Sequence, residues 1–390
     1  MLLLYELAFK HMRDEWEVLF ASNGPGALAL MEKNPCEVII SDMVMPGMTG
    51  AQLFSQLMAR YPQTTRIILS GQVDRCEVAK GAGAVHQYLL KPCDFPTLKA
   101  ILQRVCALDV FIRNDKLKSL VGQMGTLPSL PSLYFQMLKE LESPLASIEH
   151  IAELVARDQA MTAKLLQLVN SASFGIRHKI SHPAEVVQFL GVGTIRSLAL
   201  SIHAFSCFEQ AKMPEFSFHR LSEHSLMTAL FAKRIIELED VDKTILDDVF
   251  VAGLLHDVGK LMMVCNLTEG YRQAIALARE KRIPACEAEE QVLGASHADI
   301  GAYLLGLWGL PVAIVEAVAL HHAPRRSPIR AFCPLTAVHV ANVLENESSG
   351  HGEGTLPRLD EDYLARLNLR DRIEDWRAAV AQMKHALVEG

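Results

Sequence analysis

The first third of the chain alternates short β-branched apolar segments with longer amphipathic ones. The short segments are CEVIIS at 36–41, RIIL at 66–69 and HQYLL at 86–90, and each predicts a strand. Residues 51–61, between the first two, carry apolar side chains at helical spacing. This strand–helix alternation predicts an α/β domain with a parallel sheet covered by helices.

Polar residues follow each of the three predicted strands. Asp42 comes after the first, Ser70 after the second and Lys91 after the third. In open parallel sheets, ligands and chemistry gather at the carboxyl ends of the strands. We therefore expect these three residues to form one candidate site.

A longer motif surrounds the first of these residues. The stretch DMVMPGMTG at 42–50, together with Ser70, Tyr88 and the KP dipeptide that starts at Lys91, resembles the phospho-acceptor site of bacterial response-regulator receiver domains. The resemblance covers about residues 1–107 and implies a receiver-like, flavodoxin-like fold. It also implies a role in two-component signal transduction, with a sensor histidine kinase as partner.

The resemblance implies a role for each of these receiver residues. Asp42 would accept the phosphoryl group, and Lys91 would neutralise its charge. Ser70 would hydrogen-bond a phosphoryl oxygen, and Tyr88 would turn inward behind it, which converts a local charge change into a surface change.

The acidic pair with which receiver domains hold Mg²⁺ has no counterpart in this sequence. The pair follows the first strand, which precedes the helix predicted at 2–12, so both would fall before Met1. Asp14 and Glu15 come after that helix, next to a strand predicted at 17–20, and do not substitute. Two explanations stay open: the recorded start is too late, or the receiver is degenerate. Either way, Mg²⁺ binding at the receiver is in doubt.

Residues 108–122 are predicted to form a helical linker. Apolar residues from Leu98 to Ile112 follow a 3-4-3-4 spacing. Packing within the chain explains this stripe, and pairing in a homodimer is the alternative.

The strand signal disappears from Leu127 onward. The sequence instead predicts successive helices, which include 147–156, 161–171, 184–190, 194–205, 223–236 and 251–264.

Histidines are unusually frequent among these helices. His256 and Asp257 are adjacent within the predicted helix 251–264, and Lys260 follows one turn later. The other candidates are His224, His297, His321 and His322. Imidazole and carboxylate together suit a divalent transition metal, so these residues form a candidate metal site.

The helical region resembles an HDOD domain, a relative of HD-type metal-dependent phosphohydrolases. The resemblance covers about residues 123–325. It rests on LPSLP at 127–131, QLVNSASFG at 167–175, FLGVGTIRSLAL at 189–200, EHS at 223–225, LLHDVGKL at 254–261, HADIGAYLL at 297–305, WGLP at 308–311 and AVALHH at 317–322. It implies an all-α signalling or interaction module.

The six candidate ligands match metal positions of the HD-type enzymes, and Lys260 matches their lysine. Two departures weigh against catalysis. The enzymes have a carboxylate directly after the double histidine, where this chain has Ala323. They also have an aspartate on a later helix, and Asn342 occupies the equivalent position here. We therefore predict a non-catalytic HDOD module with an unidentified downstream signalling partner. The alternative is a metal-dependent phosphohydrolase, similar to the cyclic-dinucleotide phosphodiesterases.

The remaining residues, 331–390, are predicted to form a C-terminal helical extension of an HDOD domain at 123–330. A loop is expected at 345–355, followed by helices at 357–369 and 370–388. The second helix carries an apolar face that begins at Trp376, which we expect to cover the end of the helical bundle.

Composition narrows the classes of partner. The 390 residues include 38 basic and 45 acidic side chains, a net charge of −7, which disfavours binding to nucleic acid. The 8 cysteines form no CxxC pair. No apolar run approaches the ~18 residues of a membrane helix, and the N-terminus lacks a signal-peptide pattern. These features favour a cytoplasmic protein without membrane contact.

The missing acidic pair generates a prediction about phosphorylation. Acetyl phosphate or beryllofluoride with Mg²⁺ should leave this chain largely unmodified, because a carboxylate pair normally holds the metal that neutralises phosphoryl charge. Intact-mass analysis checks this. A stoichiometric adduct that Asp42→Asn abolishes would show that Mg²⁺ is held in another way.

Overall fold

The computed structural model describes the chain in segments. They are residues 5, 9, 16–70, 85, 87–91, 93, 95–96, 98–99, 102–103, 115–122, 124, 136–137, 140, 147–157, 159–170, 180, 182–206, 213–350 and 355–389. The chain forms two compact units, one of residues 1–129 with 303–309 and one of residues 130–302 with 310–390.

The first unit is built around a parallel sheet, as the sequence predicts. Its strands lie in the order β1-β2-β3, with Asp42 opposite Leu69 and Ser70 opposite Leu90. The elements are α1 (Gly24–Lys33), β1 (Val38–Asp42), α2 (Gly50–Arg60), β2 (Thr65–Ser70), β3 (Gln87–Leu90) and α3 (Asp115–Gly122).

Local sequence explains where α2 begins and which face it buries. The Thr49 hydroxyl accepts a hydrogen bond from the Gln52 backbone N–H, and the Gln52 side chain accepts one from the Thr49 N–H. This capping box satisfies two amides at the start of the helix. The buried face, Leu53, Phe54 and Leu57, packs against a core that includes Ile68. The helix predicted at 51–61 is confirmed.

The strand predicted at 17–20 is wrong, because residues 16–21 have no regular secondary structure. Trp16, Val18 and Phe20 are partly buried against a core cluster that contains Phe9. Side-chain packing therefore explains the alternating apolar pattern of this segment, without a strand ladder.

A buried arginine holds the end of α3, which is the described part of the predicted linker. Arg66, on β2, is fully buried and donates to the backbone carbonyls of Pro62, Thr64 and Gly122. Burial lowers the pKa of Arg66 to about 10. Burial removes the guanidinium of Arg66 from water, and the Gly122 carbonyl at the C-terminus of α3 replaces one of the lost hydrogen bonds.

Several sequence predictions concern residues outside the described part of the chain. They are most of the helix at 2–12, Asp14, Glu15, the stripe from Ile101 to Ile112, the LPSLP motif at 127–131 and residues 171–175.

The second unit is helical wherever the structure describes it. Its helices are α4 (Ile148–Ala156), α5 (Gln159–Val169), α6 (Pro183–Leu190), α7 (Val192–Ser206), α8 (Phe218–Glu237), α9 (Leu246–Leu255), α10 (Val258–Asn266), α11 (Thr268–Lys281), α12 (Ala285–Leu293), α13 (His297–Leu307), α14 (Val312–Leu320), α15 (Pro334–Ser349), α16 (Glu361–Arg366) and α17 (Ile373–Glu389). The all-α prediction is confirmed.

One helix prediction in this unit needs correction at a central position. The sequence predicts a single helix over 251–264, but α9 ends at Leu255 and α10 starts at Val258. The His256 ring donates from Nδ1 to the Gly253 carbonyl, 2.8 Å away, and so satisfies an orphan carbonyl at the helix end. Asp257 then has φ −102° and ψ 10°, outside the helical range.

The C-terminal extension also differs from its prediction. Helix α15 continues to Ser349 and ends at Gly350, whose φ of 65° favours glycine, so residues 345–349 are helical. Helix α17 places Trp376 in the core, where its indole N–H donates to Glu239, 2.8 Å away. Its neighbour along the face, Val380, is also buried.

In the described part of the chain, no single helix is both long enough and apolar enough to cross a membrane. The helices α6 and α7 meet those criteria only when taken together, and they are bent by 115° relative to each other.

The close packing of α10 on α13 generates a prediction about stability. A Cβ at Gly259 would overlap the backbone carbonyl of His297, whereas a Cβ at Gly301 would meet its nearest atoms at 3.2 Å. Gly259→Ala should lower the free energy of unfolding by about 1–3 kcal/mol through overpacking. Gly301→Ala should cost less than about 1 kcal/mol, because higher helix propensity offsets a milder contact. Urea unfolding monitored by circular dichroism measures both; equal losses would contradict this packing.

Candidate functional site

The receiver unit places its candidate residues along one sheet edge. Lys91 Nζ lies 2.7 Å from Asp42 Oδ1, and both side chains are partly exposed. Ser70 ends β2 and Tyr88 lies within β3, while their side chains are outside the described part of the structure. The ammonium group is therefore next to the carboxylate that the receiver resemblance assigns as phospho-acceptor.

The helical unit brings all six candidate metal ligands into one cluster, hereafter the histidine cluster. They come from α8, from the break between α9 and α10, from the start of α13 and from the end of α14. The members are His224, His256, Asp257, His297, His321 and His322.

Two members of the histidine cluster are oriented by the helix that they terminate. His256 follows α9 and His321 follows α14. Each ring donates from Nδ1 to the carbonyl three residues earlier, Gly253 at 2.8 Å and Val318 at 2.7 Å. Because a carbonyl oxygen accepts only, Nδ1 carries the proton and Nε2 of the neutral ring offers its lone pair to the cluster.

Two further members are oriented by carboxylates. His297 Nδ1 lies 2.6 Å from Glu289 Oε2, which also accepts from the His297 backbone N–H at 2.7 Å. His224 Nδ1 contacts Glu345 Oε2. Metal-bound histidines commonly donate their second N–H to a carboxylate in this way.

The Nε2 atoms of the histidine rings lie close to one another in pairs. Nε2 of His224 lies 3.1 Å from Nε2 of His256, and Nε2 of His297 lies 3.0 Å from Nε2 of His322. His256 donates outward from Nδ1 and stays neutral, so its Nε2 directs a lone pair at the neighbouring His224 ring.

Asp257 lies at the centre of the cluster. Its Oδ2 accepts from Lys260 Nζ at 2.7 Å, and its Oδ1 lies 3.1 Å from His297 Nε2. Oδ1 has this ion pair with His297 but no hydrogen bond of good geometry, and His321 Nε2 is a buried nitrogen without a hydrogen-bond partner. A self-contained hydrogen-bonded core would satisfy both atoms.

Burial and charge set the protonation of the cluster. Burial lowers the pKa of His256 to about 4, and it also moves the pKa of His321 well below the usual value. Burial opposes ionisation of Asp257, but Lys260 and the imidazoles outweigh it and hold the carboxyl pKa well below its usual value. Burial likewise opposes a charge on His297, yet Glu289 raises the pKa of that ring to about 9.

The donor atoms form two groups, each compact enough for one ion. Asp257, His297, His321 and His322 make the first, and His224, His256 and Asp257 the second; within each group the atoms lie within 4.8 Å of one another. Imidazole nitrogens with one carboxylate match the preferences of divalent transition metals. Together with the two atoms that lack a good hydrogen bond, this donor set fits a metal centre with Asp257 shared between both positions.

Sequence reasoning did not identify the outer carboxylates. Glu289 is fully buried on α12, and Glu345 is buried on α15. An acidic residue inside an otherwise apolar helix face is the signal that marks such positions, but it does not reveal which histidine each carboxylate contacts.

Asn342 lies in the same cavity wall as the cluster and is 3% exposed. Its Oδ1 accepts from Asn346 Nδ2 at 2.9 Å. Ala323, after His322, carries no donor atom. At these two positions, where the HD-type enzymes have carboxylates, this chain therefore adds no carboxylate to the histidine cluster.

A cavity of about 1160 Å³ opens onto the histidine cluster. Asp257, Lys260, His297 and His322 lie at its wall, together with residues of α8, α11 and α15. A ligand of considerable size can therefore reach the cluster from this side.

Comparisons with known proteins agree with both units. The HDOD domain family matches residues 127–324, about half of the chain, and the response regulator receiver domain family matches residues 2–103. The chain belongs to the HDOD family and carries a receiver domain ahead of its HDOD domain, which makes it a signal-transduction response regulator.

Individual relatives cover different parts of the chain. An uncharacterised protein of Treponema pallidum (strain Nichols) is 25% identical over 225 residues, 58% of this chain and 43% of that protein. The hydrogenase transcriptional regulatory protein HoxA of Cupriavidus necator is 36% identical over 81 residues, 20% of this chain and 17% of HoxA. The chain thus spans less than half the length of these curated relatives.

A solved structure supports the fold of the helical unit. The crystal structure of an HDOD domain protein of unknown function from Geobacter sulfurreducens is 26% identical, with a TM-score of 0.60. The match covers 72% of this chain and 96% of the Geobacter chain.

The outer carboxylates generate a prediction about metal affinity. Glu289→Gln and Glu345→Gln should each weaken Mn²⁺ binding about 10–100-fold, because the imidazole that each carboxylate orients becomes less basic and less well aligned. Isothermal titration calorimetry measures the affinity. Glu290→Gln, at an exposed neighbour on α12, is the matched control and should bind Mn²⁺ like the unmodified protein. Equal affinity in all four proteins would contradict this role.

Proposed function

We propose that this protein is a two-component response regulator whose HDOD domain holds a divalent metal centre and works by ligand binding without turnover. In the receiver domain, which comprises about residues 1–107, Asp42 stands at the phospho-acceptor position, where phosphorylation is expected to be weak because no acidic pair accompanies it. Residues 123–330 form the metal-holding output module, and residues 331–390 complete its fold.

One observation carries the metal assignment. Four imidazoles present Nε2 to one buried carboxylate, and each has its Nδ1 fixed by an oxygen acceptor: the Gly253 and Val318 carbonyls, Glu289 and Glu345. Burial keeps His256 and His321 neutral, and in this tautomer each directs its Nε2 lone pair toward the carboxylate, which is unfavourable unless a cation lies between them.

The balance of charge supports binding without turnover. Asp257 is the one carboxylate that touches the Nε2 side of the cluster among the described residues. A divalent ion, when bound, supplies Lewis acidity to a phosphoryl oxygen, but catalysis also needs carboxylates that balance the ion and accept a proton. Asn342 and Ala323 do not provide them.

The second candidate function is phosphoester hydrolysis. It is favoured by the cavity that opens onto the cluster and by Lys260, whose ammonium lies at the wall of that cavity beside Asp257. In such an enzyme Lys260 would hold Asp257 ionised and attract the phosphoryl group.

Metal content tests the proposed function. Protein purified from Mn²⁺-supplemented medium should contain near-stoichiometric divalent metal by inductively coupled plasma mass spectrometry. Asp257→Asn should lose most of it, because this carboxylate is shared between both groups of donor atoms. His219→Ala, at an exposed histidine on the same helix as His224, is the matched control and should keep it.

Hydrolysis separates the two candidates in the same samples. Metal-loaded protein should hydrolyse bis(p-nitrophenyl) phosphate at a rate close to that of buffer with Mn²⁺. Robust turnover that Asp257→Asn abolishes would establish the second candidate instead. Unmodified protein without bound metal would contradict the proposed centre.

A further inference from the structure

The wall of the cavity above the histidine cluster carries arginines that the proposed function leaves without a role. They come from α8, from the last turn of α11 and the residue after it, and from the segment before α16. The set is Arg220, Arg279, Arg282 and Arg358, hereafter the wall arginines.

The wall arginines have no ion-pair partner among the residues that the structure describes. Arginines elsewhere on the same two helices behave differently. Arg234, on α8, pairs with Glu237 at 3.2 Å, and Arg272, on α11, pairs with Glu269 at 2.7 Å. Among the arginines of these two helices, only those at the cavity wall therefore lack an ion-pair partner in the described part of the chain.

Acidic residues of the cavity wall do not compensate this charge, because most of them have partners of their own. Glu215 faces Arg272 at 3.8 Å and Glu223 faces His219 at 3.8 Å, while Glu345 contacts His224. Glu287 is the remaining acidic residue outside the histidine cluster. The four wall arginines and Lys384, which donates to the Ser348 carbonyl, thus outnumber the wall carboxylates that lack a permanently charged partner in the described chain, which are Glu223, Glu287 and Glu345.

We propose that the cavity binds a ligand with two separate phosphoryl groups, one at the histidine cluster and one at the wall arginines. The first contact rests on the proposed metal centre, and the second does not. Guanidinium groups recognise phosphate oxygens through paired N–H donors. The cavity therefore offers cationic side chains in addition to the histidine cluster, which favours a ligand with more than one anionic group.

The size of the cavity supports a ligand larger than a simple phosphate ester. Small-molecule sites typically have volumes of about 300–1000 Å³, and this cavity of about 1160 Å³ is larger. A molecule of dinucleotide size has room in a cavity of this volume.

Two matched probes isolate the contribution of the second phosphoryl group to the binding affinity. The dinucleoside monophosphate ApA carries one phosphodiester, and pApA adds a 5′-phosphate. Calorimetric titration at constant ionic strength should show that pApA binds at least about tenfold more tightly than ApA, as expected for charge-assisted hydrogen bonds.

A double variant tests which residues produce that preference. Arg220→Gln with Arg279→Gln should remove most of the preference for pApA, because two of the four wall guanidinium groups are lost. Both side chains are exposed at the cavity wall, so the fold should be retained. Arg234→Gln removes the same kind of charge from α8 away from the cavity and should keep the preference.

Metal content of the same samples distinguishes the two proposals. A pApA preference that depends on the wall arginines supports the arginine subsite even in metal-free protein, where the proposed metal centre would fail. Equal binding of ApA and pApA by the unmodified protein overturns the inference. A preference that survives in the double variant overturns it as well.

Discussion

The buried carboxylate of Asp257 is the constraint on which the helical unit depends. The side chain is 1% exposed, and a charge at such depth is costly unless cations or donors surround it. Lys260 supplies one positive group, and the imidazoles converge on the remaining side. The helix break at His256, the glycine contact between α10 and α13, and the outer carboxylates Glu289 and Glu345 all serve to place donor atoms around this one group.

The two domains differ in how their candidate sites meet solvent. Asp42 and Lys91 form a partly exposed pair at a sheet edge, where a kinase and its phosphoryl group have access. The histidine cluster is buried and reached through a cavity, which suits a small ligand. The arrangement is consistent with a protein that receives one signal by phosphotransfer and a second by ligand binding.

Sequence patterns predicted most elements, and the failures have physical causes. The capping residues around Thr49 and the apolar spacing of α2 are local, so they can be read directly. The break at His256 depends on a ring-to-carbonyl hydrogen bond, and the absence of a strand at 17–20 depends on packing against Phe9. The roles of Glu289 and Glu345 depend on contacts between distant segments, which a single sequence does not encode locally.

X-ray absorption spectroscopy of the Mn²⁺-loaded protein tests the central claim most directly. The account predicts a first shell of nitrogen and oxygen, with the outer-shell scattering typical of several imidazoles. That signature should disappear in Asp257→Asn, because Asp257 belongs to both groups of donor atoms. A spectrum of oxygen ligands alone, identical in the unmodified protein and in the variant, would show that metal binds elsewhere and would contradict the assignment of the histidine cluster.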